Sequence, residues 1–522
     1  MTSESYRHPL LDWANQQHFP TVAALLEAGA ALWPDRLWCR TPDGDISRAK
    51  ALQAGRRVAA GLAARGVTPG DRVVIVLPNG LDFVRTWMGV VMAEGITVGI
   101  NPAAAVTELA AVVEEIAPKL VVVSDSFDRA SGAAAAMVTV NQLLDCEPAA
   151  SLPRARTRPD DPVSFIQSSG TTGRPKFIIE TNAMYTMAAE GFPYWLRLDE
   201  SDVLMTCLPL SHLNAQVYSM LGSYGCGAKF VLLPRFSAST FWADVVRFEV
   251  TEFNAIGAML EILMRLPSAA DERDNPVRIC YAAPTPTPER HQEIEARFGL
   301  RLVVGFAQSE SPYGLVVSMD VPQRYGTMGR ARQHPRLGTV NQARIVDARG
   351  EVLGVGATGE IEFRNPATSP GYFNNPRESA AIVHDGWLRT GDLATSLDEG
   401  YFAYAGRLKE LIRRRGENLS PIEVENVLDA HPAVMSSAVI GVASEFSEED
   451  VKAFVMMRPD VQVLPSDLKQ WCADRLPRYK VPRYLEFTDE WPLTETHKIA
   501  KRQLSRERTE AEFDLEGPGG AA

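Results

Sequence analysis

The chain has 522 residues and a mass of 57.2 kDa. Because a single hydrophobic core rarely grows beyond about 250–300 residues, this length predicts two or more domains. Hydrophobic residues make up 45% of the chain and charged residues 23%, which excludes collagen-like and wholly disordered proteins. The net charge of −12 and the pI near 5.3 disfavour binding to phosphate backbones or anionic bilayers, so we expect a small-molecule partner and no nucleic acid.

Six cysteines lie far apart in the sequence without a CxxC pair, which predicts neither a disulfide framework nor a zinc site. The segment Met1–Pro20 lacks the basic and then apolar stretches of a secretory signal. The longest apolar stretch, Thr86–Ile100, contains Glu94 and is shorter than the ~20 residues that cross a bilayer. These features predict a cytoplasmic protein without a membrane span.

From Asp71 onward the sequence alternates between β-branched runs and segments with helical periodicity. The first unit is a strand at Val73–Leu77, followed by a Pro-Asn-Gly turn and a helical segment. The same pattern predicts a helix at Val106–Ala117, strands at Leu120–Val123 and Ala228–Leu233, and a helix at Thr240–Val250. This rhythm is typical of an α/β domain with largely parallel strands. The Pro-, Arg- and Asp-rich segment Glu147–Pro162 is predicted to be a surface connection between subdomains.

After Asp392 the pattern changes to that of a small α+β unit. We therefore predict a large N-terminal α/β domain of several subdomains at residues 1–408 and a small, mobile C-terminal α+β domain at residues 409–505. Lys409 is the predicted hinge between the two domains. The last residues, 506–522, are charged and then rich in Gly and Ala, which predicts a disordered tail.

The segment Ser164–Lys176, with the sequence SFIQSSGTTGRPK, places a strand-like run before a loop of Ser, Gly and Thr that ends in Lys. Such a loop can direct backbone N–H groups, hydroxyls and an ammonium group at phosphate oxygens. It is not a Walker A loop, because GxxxxGK[ST] cannot be aligned on its glycines. By itself the segment is therefore compatible with a phosphate site of another type and equally with an ordinary flexible surface turn.

The string SSGTTGRPK resembles the phosphate loop of the acyl-adenylate-forming (ANL) enzymes. That family includes acyl-CoA synthetases, adenylation domains of nonribosomal peptide synthesis and beetle luciferases. Further segments similar to motifs of the family follow in order: Gly305–Ser311, Trp387–Asp392, Gly406–Glu425 and Pro492–Leu504. The resemblance spans roughly residues 20 to 504 and is greatest to bacterial ligases of the crotonobetaine/carnitine–CoA type.

The resemblance implies a carboxylic acid–CoA ligase with a large adenylate-forming domain. In such enzymes the carboxylate attacks the α-phosphorus of ATP, giving acyl-AMP and pyrophosphate, and a thiol then displaces AMP. The implied ligands are a small carboxylic acid, ATP, Mg²⁺ and coenzyme A. A carrier protein as the thiol acceptor and a homodimeric assembly are left open.

Because both steps build negative charge on oxygen, the site needs cations and oriented donors. By the resemblance, the residues that bind the nucleotide are Ser169, Gly170, Thr171, Thr172, Lys176, Gln308, Asp392 and Arg407. The implied catalytic residues are Lys498, His212, Glu310 and Ser309. Residues implied to lie beside the CoA path are Gly416, Glu417 and Asn418. The acyl pocket is implied to contain Val217, Gly257, Ala258, Tyr281 and Ala282.

The resemblance also implies a role for each of these residues. The loop from Ser169 to Lys176 would bind pyrophosphate, Glu310 would hold Mg²⁺ and Ser309 would bond the α-phosphate. Asp392 would accept hydrogen bonds from the ribose hydroxyls. Lys498 would reach the acyl carboxylate and α-phosphate from the small domain.

Structural interpretations of the same residues stay open. Lys498 could be a solvated loop lysine, His212 a hydrogen-bonded loop histidine and Asp392 a turn former. Glu417 and Asn418 could cap the following helix. The small residues of the acyl pocket could serve close packing, whereas their apolar neighbours favour a bulky hydrophobic acid.

Some positions depart from the family pattern, and two of them stand where glycine is usual or common: Phe177 and His497. Asn182 replaces a usual His, and Phe306-Ala307 opens the aromatic-Gly motif without its glycine. Three functions are therefore kept. They are a complete ligase, an enzyme of the same fold that mainly forms thioesters from preformed acyl-AMP, and a non-catalytic protein that binds acyl-AMP or nucleotide.

Overall fold

The computed structural model describes residues 18–127, 135–147, 157–168, 176–268, 272–444, 448–458, 461, 463–493 and 499–516. Its helices are α1 (Val22–Leu32), α2 (Arg48–Ala63), α3 (Leu81–Met92), α4 (Val106–Ile116), α5 (Val140–Leu144), α6 (Asn182–Leu196), α7 (Leu221–Cys226), α8 (Phe241–Phe248), α9 (Gly257–Arg265), α10 (Pro288–Phe298), α11 (Pro376–Ile382), α12 (Pro421–Asp429) and α13 (Pro465–Ala473). A π-helical segment, Ala215–Met220, precedes α7. Within the described ranges, no helix has both the length and the apolar character that crossing a bilayer requires.

The strands of the N-terminal region are β1 (Leu37–Thr41), β2 (Gly44–Ser47), β3 (Arg72–Val76), β4 (Ile96–Ile100), β5 (Leu120–Val123), β6 (Met137–Thr139), β7 (Pro162–Ser168), β8 (Lys176–Thr181), β9 (Val203–Thr206), β10 (Lys229–Leu232), β11 (Glu252–Ile256), β12 (Ile279–Ala283), β13 (Arg301–Gln308), β14 (Ser311–Val316) and β15 (Arg330–Ala331). They are followed by β16 (Gln342–Val346), β17 (Thr358–Arg364), β18 (Val383–His384), β19 (Trp387–Ser396) and β20 (Phe402–Arg407). The C-terminal strands are β21 (Ile412–Arg414), β22 (Glu417–Leu419), β23 (Val434–Ala443), β24 (Glu449–Met457), β25 (Tyr484–Phe487) and β26 (Glu512–Asp514).

Two largely parallel sheets form the N-terminal domain. One has six strands in the order β6-β5-β3-β4-β7-β8, of which only β8 is antiparallel to its neighbour. The other has nine strands in the order β15-β14-β13-β12-β11-β9-β10-β1-β2, with β9 to β13 parallel. Helices cover these sheets because parallel strands need crossover connections. The predicted α/β class and the predicted elements up to α8 are confirmed, whereas residues 148–156 of the predicted connection lie outside the described residues.

A five-stranded antiparallel sheet, β16 to β20, links the large domain to the small one. The small C-terminal domain contains the hairpin β21–β22, helices α12 and α13, and the sheet β23-β24-β25-β26. Its own hydrophobic core runs from Ile412 to Leu515. It meets the large domain where Arg458 pairs with Glu293 at 3.8 Å, so α10 forms part of the contact.

The prediction of a disordered tail is wrong for residues 506–516. Strand β26 pairs antiparallel with β25, and Leu515 is 3% exposed in the small-domain core. The carboxylate of Glu512 lies 2.9 Å from the ammonium group of Lys452, which is fully buried. Because a buried cation requires a partner, this charged segment is an integral part of the domain.

Two of the departures from the family pattern have structural roles. Phe177, in β8, is 1% exposed and packs in a hydrophobic cluster that also contains Phe165. Asn182 begins α6, where its side chain accepts a hydrogen bond from the backbone N–H of Val22 and donates one to the carbonyl of Asp161, both at 3.0 Å. Both side chains therefore connect parts of the large domain.

Replacing Phe177 by Ala is expected to lower the free energy of unfolding of the N-terminal domain by about 3–5 kcal/mol, because it leaves a cavity beside the six-stranded sheet. Urea denaturation followed by tryptophan fluorescence measures the effect. Phe513→Ala is the matched control, since that ring is 46% exposed. Similar losses in the two variants would contradict the packing role of Phe177.

Candidate active site

The carboxyl ends of the parallel strands β11, β12 and β13 lie at one edge of the nine-stranded sheet. Strands β13 and β14 form a hairpin in which Gln308 pairs with Ser311. Ser309 and Glu310 therefore occupy the two-residue turn at its tip, both half-buried. The hairpin thus presents the implied α-phosphate ligand and the implied metal ligand side by side.

Asp392 is the centre of a polar cluster between the two antiparallel strands β19 and β20. Its side chain is 1% exposed, and its Oδ1 accepts a hydrogen bond from Nε of Arg407 at 2.9 Å. The amide of Gln308 donates to Oδ2 of Asp392, and the hydroxyl of Tyr404 donates to Oδ1 at 3.4 Å. Burial raises the pKa of Asp392, whereas the charge of Arg407 lowers it. The structure thus brings together three residues that the sequence implied for nucleotide binding.

A chain of contacts connects Lys176 to Glu310. The ammonium group of Lys176 lies 5.8 Å from the ring centre of Tyr372 and 2.9 Å from Oε2 of Glu378. The hydroxyl of Tyr372 donates to Oε1 of Glu310 at 2.7 Å. The hydrogen bond from Lys176 lowers the pKa of Glu378, which favours its charged form. A cation at the exit of the phosphate loop is therefore placed near the implied metal ligand.

Several implied residues cannot be placed. Ser169, Gly170, Thr171, Thr172 and Lys498 lie outside the described residues, as does His497.

His212 is half-buried in the turn that precedes the π-helical segment, and its backbone N–H donates to the carbonyl of Pro209 at 3.0 Å. Lys409 is exposed in a short 3₁₀ turn, Leu408–Glu410, and its charge helps to lower the pKa of Glu378.

The residues implied for the CoA path form the hairpin β21–β22. Arg415 (φ 55°) and Gly416 (φ 81°) are its two turn residues. Positive φ at both positions defines the type I′ turn that fits a two-residue hairpin and favours glycine. Glu417 and Asn418 are exposed strand residues of β22, so the alternative that they cap the next helix is wrong; Ser420 is the N-cap residue of α12.

The residues implied for the acyl pocket come from three neighbouring elements. Val217 lies in the π-helical segment, which Asn254 of β11 ties down by donating to Ser219 at 3.1 Å. Tyr281 and Ala282 are buried at the end of β12. Gly257 and Ala258 open α9, where a methyl group on Gly257 would lie 3.3 Å from Cδ of Pro284. Close packing against β12 thus accounts for Gly257.

This pocket region also contains an arginine. The side chain of Arg332 is 1% exposed, and its guanidinium group donates to the hydroxyls of Tyr218 and Tyr281. A buried cation therefore lies among the apolar residues that were expected to favour a bulky hydrophobic acid.

Glu180 is a buried carboxyl that faces the same region. Its side chain is fully buried, and neither carboxyl oxygen has a hydrogen-bond partner among the described residues. Burial, and secondly the charge of Glu310, raise the pKa of Glu180 well above its usual range. The neutral, protonated form is therefore favoured.

Glu180→Gln is expected to stabilise the protein increasingly as the pH rises. Above the unfolded-state pKa of 4.5, the unfolded Glu180 loses its proton while the folded one keeps it, so the parent loses up to about 1.4 kcal/mol of stability per pH unit until the folded pKa is reached. Gln cannot titrate and escapes this loss. Urea unfolding of both proteins from pH 4.5 to 8 measures the difference. Parallel pH profiles would contradict a raised pKa.

The sequence analysis missed the residues that complete these clusters: Glu180, Arg332, Tyr372, Glu378 and Tyr404. Tyr372 lies in the Pro-, Gly- and Asn-rich segment SPGYFNNP, which is typical of an ordinary turn. Tyr404 could have been found, because it precedes the implied Arg407 by three residues. For Glu180 and Arg332 the sequence contains no comparable signal.

Comparison with known proteins identifies related sequences along almost the whole chain. A family model described as AMP-binding enzyme matches residues 26–373, and a model of the AMP-binding enzyme C-terminal domain matches residues 423–498. The chain is similar to a sulfoacetate–CoA ligase of Cupriavidus necator, with 31% identity over 93% of this chain and 97% of the relative. An oxalate–CoA ligase of Arabidopsis thaliana is 29% identical over 93% of this chain and 98% of the relative. A crotonobetaine/carnitine–CoA ligase of Escherichia coli is 28% identical over 90% and 95%, respectively.

Solved structures agree with this relationship. ATP-bound MatB from Rhodopseudomonas palustris superposes with a TM-score of 0.85 at 25% identity, covering 92% of this chain and 97% of that one. The O-succinylbenzoate coenzyme A synthetase of Bacillus subtilis, in complex with ATP and a magnesium ion, has a TM-score of 0.81 at 25% identity, covering 94% and 100%. The fold, with its large N-terminal and small C-terminal domain, is that of adenylate-forming CoA ligases.

Proposed function

The chain belongs to the AMP-binding enzymes, among the adenylate-forming acid–CoA ligases, and on this premise we propose that it carries out both half-reactions, adenylation and thioester formation. The observation that carries the proposal is the contact chain from Lys176 through Tyr372 to Glu310. It brings a cation and a carboxylate close together, which is what a site for the phosphates of ATP and a metal ion requires. Adenylation needs these groups, whereas thioester formation from acyl-AMP does not.

Two of the departures from the family pattern are compatible with adenylation. Phe177 and Asn182 are occupied in packing and backbone hydrogen bonds of the large domain. Both side chains thus have roles in the fold that do not require a displaced phosphate loop. The sequence alone left these two positions as grounds for a displaced loop.

In the proposed mechanism, Lys176 attracts the leaving pyrophosphate, and Ser309 donates to the α-phosphate from the tip of the β13–β14 hairpin. The carboxylate of Asp392 accepts the ribose hydroxyls. Because the side chain of Arg407 is 53% exposed, it can move aside to share that carboxylate. Lys498 stabilises the negative charge that develops between the carboxylate and the α-phosphorus.

The residues present fit a magnesium ion. Glu310 offers a hard carboxylate oxygen, the type of ligand that Mg²⁺ prefers. The hydroxyl of Tyr372 donates to Oε1 of Glu310 and orients the carboxylate, and because this hydroxyl is neutral it does not replace the metal ion. Glu310 would hold Mg²⁺, which when bound neutralises charge on the phosphates of ATP. Coenzyme A is the proposed thiol, reaching the site past the hairpin turn at Gly416. A cytoplasmic location stays an expectation from the sequence.

Pyrophosphate exchange tests the proposal. Purified protein with Mg²⁺, ATP, labelled pyrophosphate and a panel of straight-chain mono- and dicarboxylic acids is expected to transfer label into ATP in an acid-dependent manner. Addition of coenzyme A should then yield the acyl-CoA thioester and AMP. Exchange that is absent for every acid while synthetic acyl-AMP and coenzyme A still give thioester would replace the proposal with the thioester-forming alternative. Absence of both reactions would favour a non-catalytic binding protein. Thioester formation only on an added carrier protein would show that this protein, and not coenzyme A, is the thiol acceptor.

We further propose that Lys409 is the hinge about which the small domain rotates between the two half-reactions. Proline fixes φ near −65°, so Lys409→Pro is expected to hold the domains in one pose. One half-reaction should then survive while the other falls at least about tenfold. Separate assays of pyrophosphate exchange and of thioester formation from acyl-AMP measure this. Two unchanged rates would place the hinge elsewhere.

A further inference from the structure

Arg332 is a buried cation whose hydrogen-bond partners are all neutral. Its Nε donates to the carbonyl of Leu315 at 2.9 Å, and one of its NH₂ groups donates to the carbonyl of Pro312 and the hydroxyl of Tyr218, both at 2.6 Å. The other NH₂ group donates to the hydroxyl of Tyr281. Among the described residues, no carboxylate forms an ion pair with it.

The surroundings hold this guanidinium group at the implied acyl pocket. It lies 4.4 Å from the ring centre of Trp195 and 5.7 Å from that of Tyr281. On the third side is Gly305 of β13, where a methyl group would collide with both the Tyr281 hydroxyl and the guanidinium group. Glycine at this position therefore allows a strand to pass directly over the charged group.

The hydroxyl of Tyr281 has an O–H donor that is not used in the hydrogen bond to Arg332. It accepts from Arg332, but its own hydrogen has no acceptor among the described residues, whereas the hydroxyl of Tyr218 donates to Pro312. A positive charge and a free O–H donor thus converge at the implied acyl pocket, and the described residues supply no anion to pair with them.

Resting on the proposed ligase function, we propose that the substrate is a dicarboxylic acid whose far carboxylate binds Arg332 and Tyr281. A guanidinium group forms strong charge-assisted hydrogen bonds with carboxylates, and the NH₂ group of Arg332 that donates to Tyr281 has a second N–H without an acceptor among the described residues. Ser309 follows Gly305 by four residues, which is at most about 13 Å at 3.3 Å per residue of extended strand. The second carboxylate therefore belongs at the far end of a chain of several carbons.

The experiment compares acids of equal length that differ only at the far end: valerate with glutarate, heptanoate with pimelate, and nonanoate with azelate. For the parent enzyme, we expect kcat/KM for acyl-CoA formation to favour the diacid at least tenfold in the longer pairs. Arg332→Met should lower kcat/KM for the diacid about 30-fold or more and leave the monoacid unchanged or improved. The diacid loss should appear mainly in KM.

The control is Arg48→Met. Arg48 is also fully buried and also donates to backbone carbonyls, those of Ser223 and Ala228, but it lies against α7 rather than β12. Its replacement should lower stability without changing the preference between paired acids. Should Arg332→Met fail to fold, Tyr281→Phe, which removes only the hydroxyl, should still weaken the diacid selectively.

A preference of the parent enzyme for the monoacid in every pair would overturn the proposal, and so would equal losses for both acids in Arg332→Met. If no acid supports pyrophosphate exchange or thioester formation, the ligase function fails rather than the assignment of Arg332. In that case, binding of synthetic acyl-adenylate analogues with and without a far carboxylate decides the matter. Equal affinities for the two analogues would then reject the role of Arg332.

Discussion

Replacing Lys498 by Ala is expected to lower the rate of acyl-adenylate formation about 10²–10³-fold, the usual cost of removing one group that stabilises charge in the transition state. Thioester formation from supplied acyl-AMP should change only a few-fold, because the α-phosphorus is not attacked in that step. Pyrophosphate exchange measures the first rate, and release of AMP from acyl-AMP and coenzyme A measures the second. Equal losses in both half-reactions would contradict the assigned role.

The same segment of the chain provides the matched control. Lys501 lies 2.7 Å from Oε1 of Glu425 and 3.4 Å from Oε2 of Glu410, so its charge is already paired inside the protein. Burial raises the pKa of Glu425, and the charge of Lys501 opposes that effect. Lys501→Ala should therefore reduce stability and affect both half-reactions alike. A selective loss of adenylation in Lys501→Ala would assign the role in adenylation to Lys501 instead of Lys498.

Asp392→Ala is expected to weaken the binding of AMP by about 1.5–3 kcal/mol, which is roughly a 10- to 150-fold rise in Kd. The physical reason is the loss of a charged acceptor for the two ribose hydroxyls. Calorimetric titration with AMP measures the effect. Asp398→Ala is the control, since that carboxylate is 82% exposed and close in sequence.

A second ligand separates recognition of the ribose from damage to the fold. The parent protein should bind AMP more tightly than 2′,3′-dideoxy-AMP, and Asp392→Ala should bind the two ligands equally. This difference of differences isolates the contact between the carboxylate and the hydroxyls. A variant that loses affinity for both ligands by the same factor would show that Asp392 acts only by holding Gln308, Tyr404 and Arg407 in place.

The sequence alone indicated the family and the candidate residues of a nucleotide site. Short strings such as SSGTTGRPK and WLRTGD bring their functional groups together within a few residues, so the local chain already defines the chemistry. Strand and helix periodicity likewise located β3, α3, β4, α4 and β5, because parallel strands buried on both faces leave long apolar runs. Glu310 and Asp392 could be named as site residues because each lies inside such a short string.

The ordered structure of the last residues could not be predicted from short motifs or from composition. Residues 506–516 are charged and look like a solvated tail, but β26 pairs with β25 and Glu512 meets the buried Lys452. Composition reports how much apolar surface a segment offers. It does not report which edge strand and which buried charge lie within reach of that segment.

The tertiary structure alone decided the electrostatics of the acyl pocket. Arg332 is one of 43 arginines, and its neighbours come from α6, the π-helical segment, β12 and β14, which are up to about 140 residues away in the sequence. The pKa of Glu180 is likewise raised by burial of β8 and secondly by the charge of Glu310, and neither cause can be seen in the sequence. Motifs record contacts that lie close along the chain, whereas burial and charge pairing depend on which strands and helices meet.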